Sequence, residues 1–274
     1  MKIGLSSGLT HTTPQHWAQQ LKGLGCKSVT FPVNCNSDKD IIRAYADAAN
    51  EAGLVIAEVG IWNNMLDQDP EKRKVALDYN IRQLILADEI GALCAVNVAG
   101  TPHGPRWDGG YRDNFSEETF QLTVETVQYI LQQANVQNTY FCIESMPWMI
   151  PTGPEEYAQL IARVDHPRFA AHLDLVNMIT SPRRYFFHDE FMKQCFELLK
   201  GHICSCHLKD IRLKDEYTFQ LQECGPGEGT LNLELFAQLC DRENPDMPVI
   251  IEHLRGDEVY KKTLAYVQRR LQLD

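Results

Sequence analysis

Four polar side chains stand late in otherwise apolar runs. They are Glu144 in Phe141-Cys142-Ile143-Glu144-Ser145, Asp174 in His172-Leu173-Asp174-Leu175, His207 in Cys206-His207-Leu208-Lys209-Asp210, and Glu252 in Val249-Ile250-Ile251-Glu252-His253. Three carboxylates and an imidazole brought to one place repel strongly without a cation, because buried charge must be paired or neutralised. A divalent metal satisfies that requirement. Oxygen-dominated ligation with one imidazole points to Mn²⁺ first, then Mg²⁺ or Co²⁺, in a roughly octahedral site. Zn²⁺ is the poorer fit, since its sites usually carry more nitrogen or sulfur. Four protein ligands leave two positions, which suit the adjacent oxygens of a hydroxyketone. Taken singly, each residue is better read as capping its strand or bonding to a loop; their occurrence on four consecutive strands favours the metal.

The elements that must position them recur along the chain. Eight short apolar runs are visible: Lys2–Ser6, Lys27–Val33, Leu54–Ile61, Leu93–Ala99, Tyr140–Ser145, Phe169–Val176, Ile203–Ile211 and Pro248–Leu254. Between them lie stretches of helical periodicity. Thr13-Pro14, Ser37-Asp38, Asp69-Pro70, Ser116-Glu117 and Gly153-Pro154 mark helix starts, and Gly25, Gly53, Gly91 and Gly201 mark ends. An apolar strand, a polar loop, a helix and a turn in units of about 34 residues suit a parallel sheet covered by helices. The economical closure is a single-domain α/β (β/α)8 TIM barrel over residues 1–274. An open doubly wound sheet is the rival, but the first strand-to-helix turn, Ser6-Ser7-Gly8-Leu9-Thr10-His11, has no G-x-G-x-x-G, and no P-loop occurs. The irregular piece Ala99–Phe115 is read as an active-site loop.

With 37 acidic against 26 basic side chains, the surface repels nucleic acid and anionic membranes, and no basic run offsets this. There is no apolar stretch of transmembrane length and no signal-peptide core after Met1. Nine cysteines, an odd count without CxxC, fit free thiols in a reducing cytoplasm, and Cys204 and Cys206 are read as packing.

The four residues on consecutive strands, together with His207-Leu208-Lys209-Asp210 and the loop Gly225-Pro226-Gly227-Glu228-Gly229, resemble the xylose isomerase-like barrel superfamily of sugar phosphate isomerases and epimerases, over essentially the whole chain. The resemblance implies that Glu144, Asp174, His207 and Glu252 ligate the metal and that Glu144 and Glu252 are also the acid/base pair. It further implies a ketose, sugar phosphate or polyol-derived keto sugar as substrate, turned over through a metal-stabilised enediolate, and homodimers or homotetramers. Three departures argue against a standard free-ketose 3-epimerase. Ile150 stands where such enzymes carry a second Glu, Asn177 where they carry a His, and Leu213 where they carry an Arg, with Arg212 one place earlier.

Strand alternation puts His172 on the face of Asp174 and Lys209 on the face of His207, so both are substrate-binding candidates, against His172 packing behind a ligand and Lys209 pairing with a nearby carboxylate. Trp62, His103, Trp107, Trp148 and Tyr185 follow strands and could pack on a sugar ring. Arg212 and Glu228 are further candidates. With Arg106, Arg112, Arg183, Arg184 and Arg255, Arg212 would suit an anionic sugar, or these arginines pair locally. The competing functions are a dehydratase or lyase on a keto-inositol or keto-glycoside, an endonuclease IV-like phosphodiesterase, which the acidic balance and Asn177 disfavour, and a non-catalytic sugar-binding barrel.

Overall fold

The computed structural model describes residues 1–6 and 8–273; Ser7, in the first strand-to-helix turn, and Asp274 lie outside the described residues. Helix starts form where the sequence places capping residues. Thr13, Asp38, Asp69 and Ser116 each accept a hydrogen bond from a backbone N–H of the following first turn, and Gly153 precedes the helix Pro154–Val164. Gly25, Gly53, Gly91 and Gly201 all have φ between 70° and 81°, the left-handed conformation that ends a helix without a Cβ clash.

The strands are β1 (Lys2–Leu5), β2 (Ser28–Thr30), β3 (Val55–Gly60), β4 (Cys94–Asn97), β5 (Tyr140–Glu144), β6 (Phe169–Asp174), β7 (Ile203–Leu208), β8 (Asp210–Leu213), β9 (Leu221–Cys224) and β10 (Pro248–Ile251). All but β8 and β9 run parallel and close into a barrel in the order β1-β10-β7-β6-β5-β4-β3-β2, with helices outside. The expected (β/α)8 barrel is therefore the fold. Its main core lies between strands and helices, where Trp17, Leu84, Tyr157 and Phe236 are fully buried. A smaller core fills the barrel itself and consists of Cys94, Val96, Cys142, Ala170 and Cys204.

One run divides differently from the sequence reading. Ile203–Ile211 is not a single strand: β7 ends at Leu208, and Asp210 opens an antiparallel hairpin of β8 on β9. The cause is the Asp210 carboxylate, which accepts hydrogen bonds from the backbone N–H of Ile211, Gly227, Gly229 and Leu231 at 2.8–3.0 Å. This gathers the Gly225–Gly229 loop onto the end of β7. At Gly229 the chain passes so close that a Cβ would lie 2.3 Å from Asp210 Oδ1. Asp210→Asn turns one acceptor oxygen into a donor facing N–H groups, so it is expected to lower stability by about 2 kcal/mol, read as the midpoint of denaturant unfolding at unchanged slope.

Candidate functional site

At the C-terminal ends of β5, β6, β7 and β10 the register sets Glu144 beside His172, and His207 beside both Asp174 and Ile250. Donor atoms of Glu144, Asp174, His207 and Glu252 all lie within 4.8 Å of one another, and all four residues are buried. His207 Nδ1 is 2.8 Å from Glu252 Oε1 and 3.1 Å from Glu144 Oε1. Lys209 enters the same cluster, its Nζ 2.6 Å from both Asp174 Oδ2 and Glu252 Oε1 and 3.5 Å from Glu223 Oε2.

A fifth carboxylate belongs to the centre. Glu58 on β3 is 1% exposed, faces His207 Nε2 at 3.3 Å and accepts a hydrogen bond from Thr30 Oγ1 at 2.8 Å. His172 stacks edge-on against His207, with ring centroids 4.1 Å apart, and its Nδ1 lies 2.6 Å from Ser205 Oγ. Glu58 was the one acid inside the apolar run Val55–Gly60, a signal the reading of β5 to β10 passed over. His253 and Glu223 were also missed. They bond to each other at 3.0 Å (Nδ1 to Oε1) over the mouth, and His253 takes a left-handed φ of 58°, uncommon for a residue other than glycine.

The electrostatics separate the two glutamates. Burial pushes the Glu144 carboxyl up to about 7, because the cations near it offset its desolvation only in part. Burial acts on Glu252 too, but His207, Lys209 and His253 outweigh it and hold that group well below the ordinary carboxylate range. Asp174 is lowered, Lys209 overcoming its burial, and so is Glu58, His207 overcoming its burial. Against their own desolvation, the surrounding carboxylates raise His207 and Lys209 well above their ordinary values. Asn177 supports Glu144, with its Nδ2 donating to Oε1 at 3.3 Å and to Ser145 O at 3.1 Å.

Between its ordinary value of 4.5 and about 7, Glu144 stays protonated in the folded chain while ionising in the unfolded one. The folded state then binds the extra proton, so this group's contribution to stability falls as pH rises through that window. Glu144→Gln, which stays neutral, is expected to remove that component. The check is unfolding free energy from pH 4.5 to 7.5 in the metal-free protein, wild type against variant.

Above the cluster opens a cavity of about 960 Å³ lined by Glu58, Glu144, Glu252, His253 and Asn177, with Trp62, Trp107, Trp148 and Phe219 around it. Trp107 and Asp108 come from the Ala99–Phe115 loop, and Trp62, 43% exposed at φ 52°, from the end of β3. His172 and Lys209 lie directly beneath, fully buried. The other candidates are not brought there. His103 bonds through Nε2 to Thr119 Oγ1 at 3.2 Å, and Arg212 lies along the hairpin on Gln222 Oε1. Glu228 is exposed on the turn that Asp210 pins, and Tyr185 is buried with its hydroxyl accepting from Leu213 N. None of Arg106, Arg112, Arg183, Arg184, Arg212 and Arg255 lines the cavity. Arg106 pairs with Asp108, and Arg184 donates to Thr152 O and Met178 O. Strand-following position brought these residues to one end of the barrel, but local acceptors hold Arg106, Arg184 and Arg212 away from its axis.

The donor set fits a divalent cation. Four buried carboxylates (Glu58, Glu144, Asp174, Glu252) face two side-chain cations, Lys209 and His207, so negative charge remains even with Glu144 protonated. Asp174 Oδ2 and Glu252 Oε1 are also buried without a well-directed hydrogen bond.

A closed parallel barrel with a buried acid-rich centre at its C-terminal mouth defines a class of (β/α)8 protein. Within it, this chain belongs to the xylose isomerase-like TIM barrel family, which it matches over residues 18–270. No curated protein matches the chain in sequence. Among solved structures it is similar to D-psicose 3-epimerase from Clostridium cellulolyticum H10 (13% identity, 99% of this chain and 98% of that one, TM-score 0.73). It is similar to 3-keto-D-glucoside 4-epimerase from E. coli (15%, 98% and 99%, 0.72) and to the probable 3-DHS dehydratase AsbF from Bacillus anthracis (16%, 99% of both chains, 0.76). At these identities the likeness establishes the fold. Among the described residues no helix is long and apolar enough to cross a membrane.

Proposed function

We propose that this protein is a metal-dependent isomerase or epimerase of an uncharged keto sugar or polyol-derived keto sugar. The observation that carries the reading is the convergence of Glu144, Asp174, His207 and Glu252 within 4.8 Å beneath an aromatic-rimmed cavity. These four residues would hold a divalent cation, for which Mn²⁺ remains the first candidate. That cation supplies positive charge where the substrate carbonyl oxygen becomes negative. Glu252, ionised at all working pH, removes the proton from the carbon beside the carbonyl. Glu144, which burial raises to about 7 in the metal-free chain, stands opposite Glu252 as the group to deliver one. Delivery to the opposite face of the same carbon gives an epimer; delivery to the neighbouring carbon gives an isomer.

Glu58 accepts from His207 Nε2–H, which fixes the ring and leaves Nδ1 for the cation. Trp62, Trp107 and Trp148 offer apolar faces to a sugar ring and shed water from the centre. The absence of arginine from the cavity lining supports a neutral substrate over a phosphorylated or carboxylated one. The nine free thiols support a reducing, cytoplasmic setting.

The test is incubation of the Mn²⁺-loaded protein in D₂O with a panel of ketoses, keto-glycosides, inososes and sugar phosphates, following deuterium entry by NMR and mass. Deuterium entry with retention of mass supports the reading. A product lighter by water transfers the same site to a dehydratase. Metal and sugar binding with no deuterium entry across the panel points to a non-catalytic barrel.

A further inference from the structure

Beneath the acidic centre, inside the barrel, lie three thiols that the proposed chemistry does not use. Cys94 begins β4, Cys142 lies on β5 two residues before Glu144, and Cys204 lies on β7 three residues before His207. We propose that Cys94, Cys142 and Cys204 form a second, sulfur-based cation site that takes one thiophilic divalent ion of the Zn²⁺ or Cd²⁺ type.

The first argument is geometric. The three Sγ atoms lie within 4.8 Å of one another, with Cys142 and Cys204 at 3.2 Å. A tetrahedral cation with metal–sulfur bonds of ~2.3 Å holds its sulfurs ~3.8 Å apart, so the cluster closes on an ion by small side-chain adjustments. A fourth donor stands at the same level. Ser205 Oγ is 3.4 Å from Cys94 Sγ and 3.9 Å from Cys204 Sγ. Because the ligands come from three separate strands, no short Cys spacing announces them.

The second argument is chemical. A packed barrel layer is ordinarily filled by branched aliphatic side chains, whereas three thiols at one level put the softest available ligands together. Binding of M²⁺ to three thiols with release of two protons to water leaves a neutral M(SR)₂(HSR) unit, which an apolar barrel interior can hold.

The third argument is access. A cavity of about 870 Å³ at the N-terminal end of the barrel is lined by Ala170, Ile203 and Cys204, so one of the three thiols faces a side of the barrel away from the sugar-binding mouth. Once bound it ties β4, β5 and β7 together beneath Glu144 and His207. Ser205 then links it to His172, at 2.6 Å from Nδ1.

The test uses the full reduced chain, freed of metal by chelator and titrated with Cd²⁺ while the ultraviolet thiolate-to-cadmium charge-transfer band is followed. Oxygen and nitrogen ligands at the mouth do not give that band. One equivalent should saturate it, excess Mg²⁺ or Mn²⁺ should leave it unchanged, and Cys142→Ala should abolish it or weaken binding at least 100-fold. Cys206→Ala, which removes a thiol of the outer core on the strand of Cys204, should leave it intact. A wild-type chain without the band, or a band that survives Cys142→Ala, overturns the proposal. Should Cys142→Ala fail to fold, the wild type alone decides. Cd²⁺ must protect Cys204 from alkylation, mapped by mass, and unprotected labelling overturns the site whatever the outcome of the sugar assays.

Discussion

Glu252→Gln is expected to stop exchange of the substrate's carbon-bound proton with solvent, lowering kcat by about 10²- to 10⁴-fold. The substitution keeps the shape of the side chain but removes a carboxylate at the cavity that stays ionised against burial, because His207, Lys209 and His253 all stabilise its charge. An amide cannot accept the proton. Glu144→Gln is expected to behave differently: it preserves the neutral, hydrogen-bonding form yet has no proton to deliver. Deuterium should still enter the substrate while net product falls by a similar factor. The two variants, read side by side by NMR in D₂O with kcat and KM separated, assign base and acid independently. Undiminished exchange in Glu252→Gln contradicts the assignment, and exchange lost only in Glu144→Gln reverses it.

Lys209→Met is expected to destabilise the metal-free protein by about 3–5 kcal/mol, because it strips the ammonium from buried Asp174 and Glu252 and leaves them facing one another. For a chain of this length that is a fall in Tm on the order of 10 °C. The second half of the expectation concerns metal. Mn²⁺ should raise Tm more in Lys209→Met than in the wild type, since the variant gains the cation its carboxylates lack and no ammonium repels the incoming ion. Calorimetry with and without Mn²⁺ measures both. Equal Tm values for the metal-free wild type and variant contradict the account of Lys209 as the internal cation of the centre.

How far the sequence reached depends on the range of the interaction involved. The caps at Thr13, Asp38, Asp69 and Ser116, and the left-handed glycines at the helix ends, are decided within one turn of chain, so they were legible in full. Period and alternation placed Glu144, Asp174, His207 and Glu252 on consecutive barrel strands, and closure of the barrel did the rest. Glu58 escaped because its strand is far along the chain from β7 and only the closed barrel sets it opposite His207. Glu223 escaped because a hairpin, folded back by one buried carboxylate, carries it over the mouth.

The sequence by itself determined the barrel, the order of its strands and the four residues Glu144, Asp174, His207 and Glu252 at one rim, because hydrophobic period and capping act locally and repeat eight times. Tertiary structure alone decided which side chains share that rim. It brought Lys209 in among the carboxylates, turned Arg106, Arg184 and Arg212 toward nearby acceptors, pushed two glutamates to opposite protonation preferences and stacked three distant cysteines at one level. Direction, burial and charge coupling are properties of space between strands, and no spacing along the chain encodes them.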